Sequence, residues 1–246
     1  MQSDNKTAAI LVIGDEILSG RTREGNAHHL AGVLSAVGID LKEIRIVADE
    51  QPLIVEAIHA LDGSLGGRYD MLFTSGGIGP THDDVTADAV AEAFGVGIEM
   101  NEEALAAMRA RWEARGVPVT GNRTRMARIP LTAKLIPNSV SAAPGFHIGQ
   151  TYVMAGVPDV FRAMVDAVLP TLPVGRPPVS ESLDVDRGES DVAEDLKEVA
   201  ELYSDLSLGS YPWQREGRYG TMLVVRGLDG ARVAAAMADL KQRIGA

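Results

Sequence analysis

The chain has 246 residues, 46% hydrophobic and 23% charged, which excludes wholesale disorder and fits one large domain or two small ones. Lys and Arg number 23 against 34 Asp and Glu, and the resulting net charge of −11 argues against broad affinity for nucleic acid or anionic lipid. With no Cys in the chain, disulfides, thiol nucleophiles, iron–sulfur clusters and Cys-built zinc sites are excluded.

Met1 to Thr7 is polar and contains Asp4, unlike a secretory leader, and the apolar run from Ala8 to Ile13 is far too short to span a membrane. A cytoplasmic location, with no membrane partner, is expected. That apolar run ends at Gly14, the pattern of a strand buried on both faces. A helix is predicted from about Asn26, with Leu30, Leu34 and Val37 on one face and Gly38 as its stop. Leu41 to Val47 reads as a second strand, Ile44 and Ile46 alternating with charged neighbours. Pro52 then sits at a helix start, followed by an apolar stripe of Leu53, Ile54, Ala57, Ile58 and Leu61. Tyr69 to Thr74 is a third strand, and a glycine-rich turn leads into a helix that runs to about Phe94.

This alternation predicts an α/β fold, a mostly parallel sheet covered on both faces. Asn101 caps a further helix to Arg115, with Glu102 and Glu103 favourable in its first turn and Leu105, Met108 and Trp112 inward. From Gly116 to Ala143 the prolines and the lack of period predict loops and short strands. Thr151 to Ala155 reads as a strand, and Pro158 starts a helix whose inner face is Phe161, Met164, Val165 and Val168. Pro170, Pro173, Pro177 and Pro178 read as a semi-rigid linker, so two domains are expected, 1–172 and 173–246. The second reads as strand, helix (Glu189 to Tyr203), strand, strand, helix (Asp229 to Ile244), a small α+β module.

The polar exceptions fall at strand ends. Asp15 and Glu16 follow the first strand, Asp49 and Glu50 the second, and the glycine-rich turn the third. In an open parallel sheet the loops after the carboxyl ends line the ligand crevice. The segment from Ser75 through Gly76, Gly77, Gly79, Thr81, His82, Asp83 and Asp84 to Thr86 has two readings. It is either a tight turn in which Thr81 or Asp84 caps a helix, or a cradle of backbone amides for phosphate. It is neither a Walker A loop nor the dinucleotide glycine fingerprint. Acids beside an anion cradle imply a bridging divalent cation, for which Asp15, Glu16, Asp49, Asp83 and Asp84 are candidates.

The histidines make no metal set: His28 and His29 are adjacent on a helix, His59 lies beside an apolar stripe, and His147 is undecided. His82 alone sits in the loop, where it could touch ligand or carry a proton. Ser75 lacks a His and acid at triad spacing. The basic stretch of Arg123, Arg125, Arg128 and Lys134 is either a phosphate clamp or an exposed loop. Gly217-Arg218-Tyr219-Gly220 reads as a hairpin turn rather than a nucleic-acid-binding loop, since from Thr171 onward 13 acids oppose 9 basic residues. No nucleic-acid partner is expected.

Four stretches carry a resemblance: Gly14-Asp15-Glu16-Ile17-Leu18-Ser19-Gly20 with Asn26; Val47-Ala48-Asp49; Ser75 through Thr86; and Gly156-Val157-Pro158. Together they resemble the molybdopterin-binding (MoaB/Mog-like) family over about Ala8 to Leu169, and within it the N-terminal region of CinA-type competence/damage-inducible proteins. Pro137-Asn138-Ser139 and Ala143-Pro144-Gly145-Phe146 are similar to the CinA subgroup, and the tail resembles its KH-type module. The resemblance implies a three-layer α/β/α domain that binds a phosphorylated pterin or nucleotide.

In Mog-type members it implies magnesium-dependent transfer of adenylate to molybdopterin. In CinA-type members it implies metal-dependent pyrophosphatase activity on ADP-ribose and related dinucleotides. It carries the two functional aspartates onto Asp49 and Asp84, which would hold Mg²⁺, Mn²⁺ or Co²⁺ or orient water. Gly14, Asp15, Glu16, Asn26, Ser75, Gly76, Gly77, Gly79, Thr81, His82, Asp83, Gly156 and Pro158 then fall to substrate binding. Self-association is also expected from it. Two departures stand out: the chain ends at Ala246, without the amidase domain of full-length CinA, and Ser141 replaces a frequent glycine. A non-enzymatic binding module that keeps the fold is the remaining alternative.

Overall fold

The computed structural model describes residues 5–245; the polar segment through Asp4 lies outside them. In chain order the larger unit holds β1 (Thr7–Ile13), α1 (Asp15–Leu18), α2 (Asn26–Ala36), β2 (Asp40–Val47), α3 (Gln51–Leu61), β3 (Met71–Ser75) and α4 (Thr86–Ala93). It continues with β4 (Ile98–Met100), α5 (Glu102–Ala114), α6 (Gly121–Thr124), β5 (Arg128–Pro130), β6 (Lys134–Ile136), β7 (Gly145–Ile148), β8 (Thr151–Met154) and α7 (Pro158–Val168).

Six strands form the central sheet in the order β2-β1-β3-β8-β7-β6. The first four run parallel, and β7 and β6 extend the sheet antiparallel. Every residue of β1 from Ala8 to Ile13 is buried, as an apolar run without polar alternation requires in a strand covered on both faces. On one face α3 and α4 pack Ile54, Ile58, Leu61 and Val90 onto Leu11, Leu72 and Val153. On the other, Ile10 and Phe73 are buried, as are Leu30 of α2 and Phe161 and Met164 of α7.

The chain reverses its direction of travel across the sheet at β1, with β2 on one side and β3 on the other. Val12, Ser75 and Met154 stand in register across β1, β3 and β8, so three carboxyl ends open onto one crevice.

Three readings of the sequence are corrected. Ile44 and Ile46 are 51% and 38% exposed, because β2 is an edge strand whose outer part the helices do not cover. Glu43 and Arg45 instead take the partly buried side, where Glu43 bonds Arg45 and accepts from the Tyr69 hydroxyl at 2.8 Å. Leu53 likewise drops out of the α3 stripe to the surface. The stretch after Gly116, read as loops and short strands, also contains the single helical turn α6.

From Gly175 onward the chain forms a second compact unit with β9 (Val179–Val185), α8 (Ala193–Leu202), β10 (Ser207–Arg215), β11 (Arg218–Gly227) and α9 (Gly230–Ile244). The three strands pair antiparallel in the order β10-β11-β9. Val199, Leu223, Val225, Met237 and Leu240 make its own core. The predicted helix from Glu189 begins as a single 3₁₀ turn and becomes α-helical only at Ala193. Glu216 and Gly217, both at positive φ, close the β10–β11 hairpin, which accounts for the Gly-Arg-Tyr-Gly sequence without any ligand. Among the described residues no helix is long and apolar enough to cross a membrane.

Candidate functional site

A cavity of about 570 Å³ opens at the carboxyl ends of β1, β3 and β8. Its floor is Gly76, Gly77, Ile78 and Gly79, and Gly156, Val157 and Pro158 form the facing edge. Gly76 and Gly77 have φ of 112° and 68°, a conformation L side chains rarely adopt. A Cβ on Gly76 would lie 2.1 Å from the Ile13 carbonyl oxygen, and one on Gly77 would lie 2.0 Å from Thr86 Oγ1. The backbone therefore turns where no other residue fits. Thr86 fixes that turn, its hydroxyl donating to Gly76 O at 3.1 Å and its amide to Gly77 O at 3.0 Å. The amides of Gly77 and Ile78 have no protein acceptor among the described residues. The helix start at Pro158 has no side-chain cap.

Asp84 does not cap α4; the first helical residue is Thr86, and Val85 precedes it without a side-chain bond. The capping reading of Thr81 and Asp84 is thus overturned. Asp84 closes the loop instead. Its Oδ1 accepts from the Gly79 amide at 2.6 Å, and its Oδ2 accepts from the Thr81 amide at 2.8 Å and the Thr81 hydroxyl at 2.5 Å. Three of about four lone-pair positions are thereby used.

Asp49 is freer. It accepts one bond, from the Asp15 amide at 2.9 Å, which ties the start of α1 to the end of β2. Burial first, then the charges of Asp15, Glu16 and Asp83, push its carboxyl above the ordinary range against the pull of that amide.

Asn26 is a brace. Its side-chain amide donates to Ser75 Oγ and to Gly156 O, both at 2.8 Å, holding the ends of β3 and β8 together. Asn26 and Ser75 are buried and support the cavity without lining it. Glu16, Asp49, Gly76, Gly77, Gly79, Asp83, Asp84, Gly156 and Pro158 do line it; Gly14, Asp15, Thr81 and His82 do not. The His82 side chain is fully exposed. His147 lies on β7, stacked on Tyr152 at 4.2 Å, and His59 faces the Ala93 carbonyl, so both are structural here.

Of the basic stretch, Arg128 grips Asp88 of α4 through two bonds of 3.0 and 2.6 Å, and Arg125 donates to the Asp84 carbonyl at 3.3 Å. Neither Arg nor Lys lines the cavity. The apolar wall of Ile13, Ile78, Met126, Val157, Val160 and Met164 was not foreseen, because its members come from four separate chain segments and none carries a polar signal. Met164 was foreseen only as a core residue.

Among the described residues no group of three or more His, Cys, Asp or Glu side chains is placed to hold a metal unaided. The donor set does suit a hard cation. Magnesium-like ions take one or two carboxylates and complete their shell with water and substrate phosphate, and Asp49 has the lone pairs to spare.

Residues 9–174 match the family model described as "Probable molybdopterin binding domain", and residues 177–246 match one described as "FAD synthase, middle domain". A protein of Pyrobaculum arsenaticum is 40% identical over 215 residues, covering 83% of this chain and 79% of its own. One from Caldivirga maquilingensis is 39% identical over 206 residues, covering 81% and 78%. The crystal structure of a Thermoplasma acidophilum protein described as CinA, with unknown function, is similar at 31% identity and a TM-score of 0.61. It covers 69% of this chain and 99% of that one. With two thirds of its length matched by that model, the chain belongs to the molybdopterin-binding, MoaB/Mog-like domain family.

Proposed function

We propose that this cavity hydrolyses a nucleotide pyrophosphate, ADP-ribose or a related dinucleotide, with a divalent cation (Mg²⁺, Mn²⁺ or Co²⁺) that its carboxylates would hold. The observation that carries this is a conflict of charge. A floor of unpartnered amides suited to an anion is ringed by Glu16, Asp49, Asp83 and Asp84, while the neighbouring Arg125 and Arg128 are engaged by Asp88 and the Asp84 carbonyl instead of lining the cavity. A cation would offset the charge of these carboxylates against that of phosphate.

Asp49 and the remaining lone pair of Asp84 would hold that cation, which when bound neutralises phosphate charge and eases attack at phosphorus. The amides of Gly77 and Ile78 hold the pyrophosphate oxygens, and Asp84 keeps the loop in shape. Asp49 also orients water. The water oxygen bonds one phosphorus as the bond from that phosphorus to the bridging oxygen breaks, giving AMP and ribose 5-phosphate, and a proton passes to solvent.

Incubation of the chain with ADP-ribose, NAD or FAD and each metal, with AMP as readout, tests the reading. AMP release that requires metal is expected, and no turnover with any metal would overturn it.

Molybdopterin is the second reading, favoured by the family description and by the apolar side chains of Ile78, Met126, Val160 and Met164, against which a flat heterocycle could pack. Adenylyl transfer from ATP to molybdopterin would promote it over hydrolysis. We also propose self-association, for which the half-exposed Ile44 and Ile46 on the edge strand offer apolar surface. Light scattering that finds monomer alone at micromolar concentration would contradict it.

A further inference from the structure

A second cavity, of about 600 Å³, lies between α5 and the loop 137–144. It shares Ser141 with the first cavity, so the two spaces adjoin along this loop. Asn138 gives that wall its shape. Its side-chain oxygen accepts from the amides of Val140 (2.9 Å) and Ser141 (3.1 Å), and its nitrogen donates to Ser141 Oγ (2.7 Å) and Ala143 O (3.2 Å). All its hydrogen-bonding capacity is spent on the loop. Arg111 of α5 braces the wall from outside, one guanidinium nitrogen donating to Val140 O at 2.6 Å and Ser139 O at 3.3 Å.

The polar and apolar groups of this space are sorted. One side is the methyl surface of Ala104, Ala107 and Ala110, spaced every three residues along α5, and the other includes Pro137 and Pro144. Such a pair of flat apolar walls accepts a planar ring and gives little to a sugar or a free phosphate. At the rim Glu103 can accept from an amino group. Arg111 itself is committed to the brace: its Nε is buried and its guanidinium holds the loop carbonyls. A planar heterocycle that carries an amino group suits both the apolar walls and the rim carboxylate.

We infer that this second cavity binds the nucleobase of the substrate while the first holds its pyrophosphate. The slot is read from its own walls; assigning both cavities to one ligand rests on the phosphate reading above. Ala107 is exposed on the helix face that lines the slot, so a larger side chain there fills it without entering the core.

The test uses the whole 246-residue chain and an Ala107→Trp variant, with helix content checked by circular dichroism. Three probes are titrated with Mg²⁺ present: adenosine, ADP-ribose and inorganic pyrophosphate. In the variant, adenosine binding seen by saturation-transfer NMR should vanish and ADP-ribose affinity should fall by about tenfold or more, the scale of one stacked base. Pyrophosphate affinity should not change. Adenosine that fails to bind the wild-type chain at millimolar concentration, or binds the variant as well, overturns the slot. If adenosine behaves as expected while pyrophosphate binds neither protein, the slot stands and the phosphate reading falls.

Discussion

Asp49 and Asp84 look interchangeable as residue types but are bonded differently at the cavity. Asp84 spends both oxygens shaping the loop, and an Asn there can offer only one acceptor oxygen to two N–H groups and a hydroxyl. Asp84→Asn should therefore lose phosphate binding together with turnover. Asp49 spends one lone pair, which an Asn oxygen can replace. Because burial and nearby acids disfavour its charge, Asp49→Asn should leave Tm unchanged or raise it slightly while turnover falls by a hundredfold or more, on the order expected when a cation ligand is lost. Steady-state kinetics beside thermal melts separate the two variants. A turnover rate in Asp49→Asn equal to that of wild type would refute its assignment. Gly76→Ala tests the floor: a Cβ 2.1 Å from a main-chain oxygen forces the strand end to move. A loss of about 3 kcal/mol or more in a urea melt is expected.

Elements place these residues, and two contacts between elements carry measurable weight. Asn26→Ala would leave Ser75 Oγ and Gly156 O without their shared donor, costing about 1–3 kcal/mol and loosening the crevice between β3 and β8. Unchanged ligand affinity in that variant would show the brace to be structural only. At the other end of the sheet, Lys6 and the Thr7 amide and hydroxyl hold the Asp70 carboxyl down to about 2 from an ordinary 3.8. A carboxyl depressed on folding adds stability above its unfolded pKa and loses it as pH falls from near 4 toward 2. Asp70→Asn should cost about 1 kcal/mol at pH 6, after allowance for its partial exposure, and close to nothing near pH 2.

Much of this level was legible in the sequence. The apolar run of β1, the Asn101 cap, confirmed by its bond to the Ala104 amide, and the proline start of α7 are local signals with local causes. The outward turn of Ile44 and Ile46 was not, since it depends on β2 being at the sheet edge. Nor was the role of Asp84, because an acid two residues before a helix reads the same whether it caps that helix or folds the preceding loop. The cavity wall and the second cavity are tertiary facts, assembled from segments that no spacing rule connects.

At the scale of the whole molecule, each unit has its own core, and the cavity is lined by residues of the larger unit alone. Leu223→Ala removes a fully buried side chain from the smaller core, at a cost of about 2–5 kcal/mol. Hydrogen exchange should speed up in β9, β11 and α9 while ADP-ribose affinity stays within twofold of wild type. Parallel loss of affinity would show that the site depends on the second unit. On the reading proposed above, acids and amides share this cavity because a cation joins them to phosphate. If so, metal and nucleotide must each tighten the other by the same factor. Calorimetric titration of ADP-ribose, with Mg²⁺ and then with chelator, measures that factor directly. A fall in affinity of about tenfold or more on chelation, absent in Asp49→Asn, is predicted. Equal affinity in both conditions would mean that these carboxylates only fold the loops, and the metal-assisted account would be wrong.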